Sequence, residues 1–270
     1  MPRLSLRLAL AILIATPVLH SGAHAACLRH VASDQPRLIP AAAGFGTIPP
    51  GHVGVTYVGH ASFLIETAAG VKAVTDYNDH VRADLTPDIV TMNNAHSTHY
   101  SIAVQSGVKH VLQGWGDQRG PAEHELSYLD MQVRNVPTNV RDYASTRYNG
   151  NSIFVFETAE LCIAHLGHLH HRLTREHLAA LGQIDVLMVP VDGSYTLNIE
   201  GMIAVIEQVR APVVIPMHFF SEAGLERFLG RLKEQGTSMD YTVEFSPTPS
   251  TLFSRAALPR RPQLLVLPGH

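Results

Sequence analysis

The chain has little cysteine, little tryptophan and little charge. Of its 270 residues two are cysteine and one is tryptophan, and 16% are Asp, Glu, Lys or Arg. Two cysteines cannot staple a disulfide scaffold, so the fold must rest on a buried core. Cys162 lies in the apolar run Leu161-Cys-Ile-Ala164 and is expected as a core thiol, with Cys27 unpaired. The net charge of −3, with histidine neutral, leaves no basic footprint for nucleic acid and no polybasic face for a membrane surface. No P-loop, dinucleotide glycine motif or nucleophile elbow is present, which removes three common catalytic frameworks. Linkers, low-complexity blocks and helical repeats are missing too.

The first residues read as an address. Met1 to Arg7 carries two arginines and no acid, Leu8 to Leu19 is apolar apart from a threonine, and Ala23-His24-Ala25 is a small-x-small site. That order is a secretory signal peptide over 1–25. His24 stands where a lipobox has Leu, which argues against lipidation at Cys27. The expected mature chain is one domain over 26–270, periplasmic or secreted. Beyond the signal no stretch is long and apolar enough to span a bilayer.

Strand-like and helix-like segments alternate along the rest. Val53–Val58, Ser62–Thr67 and Val71–Thr75 read as a short antiparallel meander. Ile89–Met92, Lys109–Gln113, Gln132–Pro137, Ser152–Glu157 and Leu161–His165 follow as strands. Helices are predicted after the caps Thr174, Asn198 and Ser221, with stops at Gly182 and Gly236. Strands at Val186–Pro190 and Val213–Met217 separate them, and Tyr241–Phe245 and Gln263–Leu267 close the chain. This pattern is mixed α/β, with sheets covered by helices.

What the chain has in excess is histidine. There are seventeen, and five fall within thirteen residues: His165, His168, His170, His171 and His177. His96 and His99 follow an apolar run, and His218 ends another. Imidazole is the commonest neutral metal ligand, and loops leaving strands are where sites sit. Each motif alone reads as structural, but together they share one grammar, an apolar strand and then histidine. That points to a metal site at one edge of a sheet. His170 and His171 are read as loop residues and His177 as a surface residue on a helix.

Three stretches carry a family resemblance. They are Thr56-Tyr-Val-Gly-His-Ala-Ser-Phe-Leu-Ile-Glu66 with Val74-Thr-Asp76, His165-Leu-Gly167, and Val189-Pro-Val-Asp-Gly193 with Ile215-Pro-Met-His218. In this order the chain resembles the metallo-β-lactamase superfamily, in the branch of L-ascorbate 6-phosphate lactonase-like and N-acyl-phosphatidylethanolamine phospholipase D-like hydrolases. The resemblance implies a four-layer αββα sandwich with metals at one edge. It also shows departures. The family loop His-x-His-x-Asp-His reads here Asn94-Ala-His96-Ser-Thr98-His99, and His168 holds the place of a bridging aspartate.

The expected ligands are His96, His99, His165, His168 and His218. His60 is placed nearby by the resemblance, as a group that steadies an oxyanion. Two lost carboxylates lower the site's negative charge, so one ion is favoured with two possible, and zinc is preferred with Cu, Fe or Ni also suited to imidazole ligands. Asp76 is expected to orient a liganding histidine, with Asn94 beside it, and its plainer reading is a turn residue. Asp192 is a candidate base or ligand, and its plainer reading is an Asp-Gly turn. With His168, Asp192 and His60 as catalytic candidates, the expected activity is a metal-dependent hydrolase. It would act on an ester, lactone, amide or phosphodiester of a small molecule. The competing reading is a catalytically silent relative that binds ligands or handles metal.

Overall fold

The computed structural model describes residues 39–40, 45–142 and 145–269. The first half supplies β1 (Ile39–Pro40), β2 (His52–Gly59), β3 (Ser62–Thr67), β4 (Lys72–Val74), β5 (Ile89–Met92) and β6 (His110–Gln113). An antiparallel run follows: β7 (Glu125–Tyr128), β8 (Met131–Asp142), β9 (Ser145–Thr158) and β10 (Leu161–His165). Strands then alternate with helices as α1 (Arg175–Leu181), β11 (Val186–Pro190), α2 (Ile199–Val209), β12 (Val213–Met217) and α3 (Glu222–Gln235). The chain closes with β13 (Thr242–Phe245), β14 (Ser250–Ser254) and β15 (Gln263–Val266).

These strands form two sheets, one ordered β1-β14-β2-β3-β4-β5-β6 and the other β13-β15-β12-β11-β10-β9-β8-β7. Strands β10, β11, β12, β15 and β13 run parallel. β11 and β12 are buried along their whole length, as continuous apolar runs in the middle of a covered parallel sheet should be. Between the sheets lie Phe63, Ile65, Phe154, Phe156, Met188 and Ile215. The outward face of the eight-stranded sheet packs against the three helices through Leu181, Met202, Ile206, Leu225 and Phe228.

The helices start where capping chemistry puts them. Asn198 accepts from the Gly201 amide and Ser221 from the Gly224 amide. Thr174 and His177 form a reciprocal capping box, so His177 has a structural task at the head of α1.

The outer face of the seven-stranded sheet is built differently. Among the described residues no helix lies over it. Tyr77, Leu85, Tyr100 and Val104, from the loops flanking β5, cover Leu64, Val74, Val90 and Met92. Among the described residues the sandwich therefore has its two sheets and one helical layer, with loops on the fourth side. The stretch between β4 and β6 has no apolar 3.6-residue period from which a helix could form.

One expectation is corrected. Cys162 is fully buried on the helix-facing side of β10 and is disulfide-bonded, not a free thiol. Burial of a thiol does not exclude pairing, and spacing along the chain carries no information on which segment packs against β10. Cys27, the other cysteine of the sequence, lies outside the described residues.

Candidate metal centre

Both sheets deliver histidines to one edge. The β2–β3 turn carries His60 at φ 53°, and β12 ends in His218 at φ 58°. The two turns are tied together, because the His218 amide donates to the His60 carbonyl at 2.7 Å. The Tyr57 hydroxyl donates to the same carbonyl at 2.8 Å. His99 arrives from the loop after β5 and is fully buried. His168 arrives from the loop after β10, its amide bonded to Asn151 Oδ1 at 2.8 Å.

Ring nitrogens of His60, His99 and His218 lie within 4.8 Å of one another. Nε2 of His99 faces Nε2 of His218 at 3.2 Å. Behind each ring stands a carboxylate. Asp76 Oδ2 is 2.6 Å from His99 Nδ1, and Asp192 Oδ1 is 3.1 Å from His218 Nδ1, though the second contact is off-line for a straight hydrogen bond. A carboxylate accepts only, so it places the proton on Nδ1 and leaves Nε2 as a lone pair. Two lone pairs at this distance repel unless a proton or a cation lies between them. Two imidazoles on one zinc, at about 2.0–2.1 Å each in tetrahedral geometry, stand roughly 3.3 Å apart. Two further nitrogens at the group are buried without a partner, His60 Nε2 and His168 Nδ1. The donor set therefore fits a divalent cation that favours nitrogen.

The electrostatics favour the neutral form at His60, His99 and His168. Burial, and then the neighbouring His218, push His99 well below the ordinary histidine range. The same causes lower His60 to about 3. His168 is pushed down by burial and by His99. Burial raises Asp76 to about 7 against the pull of His165. Burial also pushes Asp192 up, but the His218 ring beside it and the hydrogen bonds it accepts from Thr196 and Ser194 outweigh that and hold the carboxyl well below its usual range.

Several expected residues lie elsewhere. His165 is fully buried, but Nε2 donates to the Ala61 carbonyl at 2.7 Å and Nδ1 accepts from Asn93 Nδ2 at 3.1 Å. Both nitrogens are occupied, so the structure does not bring His165 into the group as a ligand. His96 stands exposed at the rim, stacked on His168 at 5.7 Å between centroids, with Nδ1 turned to Thr98 Oγ1. Asn94 Nδ2 is spent on the Gly150 carbonyl, and its Oδ1 accepts from Arg147, so it braces the β8–β9 hairpin and not a histidine. His60, expected as an oxyanion group, is instead one of the three clustered rings. Asp192 touches His218 and also closes its own turn by accepting from Ser194, Tyr195 and Thr196.

Sequence reasoning missed Asn93 and Asn151. Asn93 holds His165, and Asn151 holds the backbone of His168. Their only signal was an Asn at the end or start of an apolar run, which reads as turn chemistry. Gly167, at φ 58°, passes against Asn93 and Asn151, where any Cβ would collide with both.

Comparison with known proteins agrees with this architecture. A protein of Carboxydothermus hydrogenoformans called a metal-dependent hydrolase is 21% identical over 215 residues, covering 70% of this chain and 95% of its own length. One of Methanospirillum hungatei with the same description is 25% identical over 181 residues, covering 61% and 82%. Among solved structures, a proposed Zn-dependent hydrolase of the metallo-β-lactamase superfamily from Thermotoga maritima is 26% identical, with TM-score 0.57, covering 81% of this chain and all of that one. A proposed metal-dependent hydrolase of Parabacteroides distasonis, 14% identical, shares the fold with TM-score 0.55 over 68% of this chain and 90% of its own. The family model described as the beta-lactamase superfamily domain matches residues 54–218, from the third residue of β2 to the histidine just after β12. The match takes in every residue of the clustered group, and the chain belongs to that superfamily.

Proposed function

We propose that this protein is an exported metal-dependent hydrolase of small molecules, with one zinc ion held by His60, His99 and His218 and with His168 beside it. The observation that carries the reading is the pair of facing Nε2 atoms, 3.2 Å apart, each ring held from behind by its own carboxylate. When bound, zinc supplies Lewis acidity and lowers the pKa of water to near neutrality. The chain's own residues do the rest. Asp76 and Asp192 fix the tautomers of His99 and His218, keeping both Nε2 atoms free of protons. Asp76 and Asp192 are taken up by His99 and His218, so activation of the water would rest chiefly on the zinc, with His168 Nδ1, buried and unpartnered, left to hydrogen-bond beside it. The scissile bond is an ester, lactone, amide or phosphodiester.

Export rests on the signal-like pattern of residues 1–25 and on the disulfide at Cys162, since disulfides persist in oxidising compartments. A second reading, a catalytically silent relative, draws on the two acidic family positions that here hold Thr98 and His168. The deciding experiment is metal content of the mature chain, purified without a histidine tag, alongside His99→Ala and His218→Ala. About one ion per chain, lost in both variants, supports the site. Turnover across ester, lactone and phosphodiester substrates that vanishes in the same variants supports the hydrolase. Metal without turnover leaves the silent relative, and no metal after zinc is added back sinks both the site and the activity.

A further inference from the structure

Beside the histidines opens a cavity of about 580 Å³, the size of a small-molecule site. Its wall includes His60 itself, then Tyr57, Phe219, Phe220, Leu225 and Phe245. A second cavity of about 560 Å³ shares Leu229 and Phe245 with the first and runs on between α3 and β13 to Tyr241. The two cavities adjoin at these side chains, the first beginning at His60 and the second lying along α3, and we read them together as the α3–β13 groove. Phe220 joins groove to histidines, its ring 5.5 Å from His60 and 5.4 Å from His218. Tyr195 packs edge-on against Phe220. Of eight exposed large apolar side chains among the described residues, four (Tyr195, Phe220, Val243 and Phe245) line or border this groove. Such clustering of apolar surface marks a binding face. No lysine or arginine lines the cavity next to His60, while Glu222 and Glu226 do, and the second cavity carries one charge of each sign, Lys233 and Asp240. An anionic tail would be repelled there, and a polar one would leave the aromatic wall unsatisfied.

We infer that the substrate at the metal group carries an extended, uncharged apolar chain, alkyl or acyl, which lies along the α3–β13 groove with its reactive group against His60 and His218. The inference rests on the hydrolase reading of that group and names its substrate class. Phe220 is then a specificity residue that turns the chain from the histidines into the groove.

Alkyl hydroxamates test it, because their head group ligates zinc and their tail length can be varied. Acetohydroxamate, hexanohydroxamate and decanohydroxamate are titrated calorimetrically into the zinc-loaded mature protein. Affinity rising at least ~100-fold from acetohydroxamate to decanohydroxamate is expected, well within what burial of the added methylenes can give. Phe245→Asp, at an exposed position, is expected to weaken decanohydroxamate at least tenfold while metal content stays that of the parent. Equal affinity at all lengths overturns the groove and leaves the metal site standing. If no hydroxamate binds, the metal reading fails. The groove is then judged alone by 1-decanol displacing 1-aminoanthracene from the metal-free protein. Displacement that Phe245→Asp abolishes supports it, and no binding of either probe overturns it.

Discussion

Asp192 stands to His218 as Asp76 stands to His99: each carboxylate faces an Nδ1, at 3.1 and 2.6 Å, and the two Nε2 atoms face each other. The two pairs come from opposite sheets, Asp76 and His99 from around β5 and Asp192 and His218 from the ends of β11 and β12. Asp76→Asn and Asp192→Asn should each weaken zinc about 10–100-fold, the usual cost of removing the carboxylate behind a liganding histidine. Competition against a chromogenic chelator measures it. Zinc affinity unchanged in both would show that the carboxylates do not orient the rings.

His60 and His165 should separate cleanly. His165 has both nitrogens satisfied inside the protein, so His165→Ala leaves Ala61 and Asn93 with unpaired buried groups. A loss of about 1–3 kcal/mol is expected from those alone, with metal stoichiometry kept. His60→Ala should lose metal with a smaller change in stability. Urea unfolding of the metal-free variants, with metal analysis of the loaded ones, reads both. The reverse pattern would make His165 the ligand.

Metal removal should lower the melting temperature. A ligand that binds only the folded chain stabilises it by about 2.7 kcal/mol at a hundredfold excess over its dissociation constant. Scanning calorimetry with and without chelator measures this. Chelator should leave His99→Ala unaffected, and an equal shift there would place the ion elsewhere.

The metal-free protein should lose stability as pH falls below about 6.5. His60 and His170 are lowered by burial to about 3 and about 4, and His99 and His168 are lowered with them. Between those values and about 6.5 the unfolded chain binds more protons than the folded one, so acid favours unfolding. Asp76, raised by burial to about 7, works in the opposite direction, but it is one group against several. Chemical unfolding at pH 7.5, 6.0 and 5.0 tests the sign, and stability flat or rising toward pH 5 would contradict it.

Much of the scaffold is legible in the sequence because local rules decide it. The apolar runs of β3, β5, β10, β11 and β12, and the caps Thr174, Asn198 and Ser221, lie where period and capping chemistry put them. β14 is not, since Ser250-Thr-Leu-Phe-Ser254 alternates weakly after a Pro-Thr-Pro stretch and is a strand only because it lies beside β2. β7 is an edge strand made by pairing with β8 for the same reason. At the site, the strand-then-histidine grammar finds the edge but cannot choose among its histidines. His165 follows that grammar as well as His218 does, yet its ring falls where the Ala61 carbonyl and Asn93 can take it. That choice depends on the distance between two sheets, which no local pattern encodes.

His60, Asp76 and His218 all sit at positive φ, at 53°, 43° and 58°. Glycine or asparagine would occupy such backbone at less conformational cost. At these three positions the disfavoured backbone coincides with the rings and the carboxylate that face the clustered group. It follows that stabilising substitutions are near to hand at all three positions. His60→Gly or His218→Gly should relax the turn while emptying the site, so here a more stable protein and a working one lie in opposite directions.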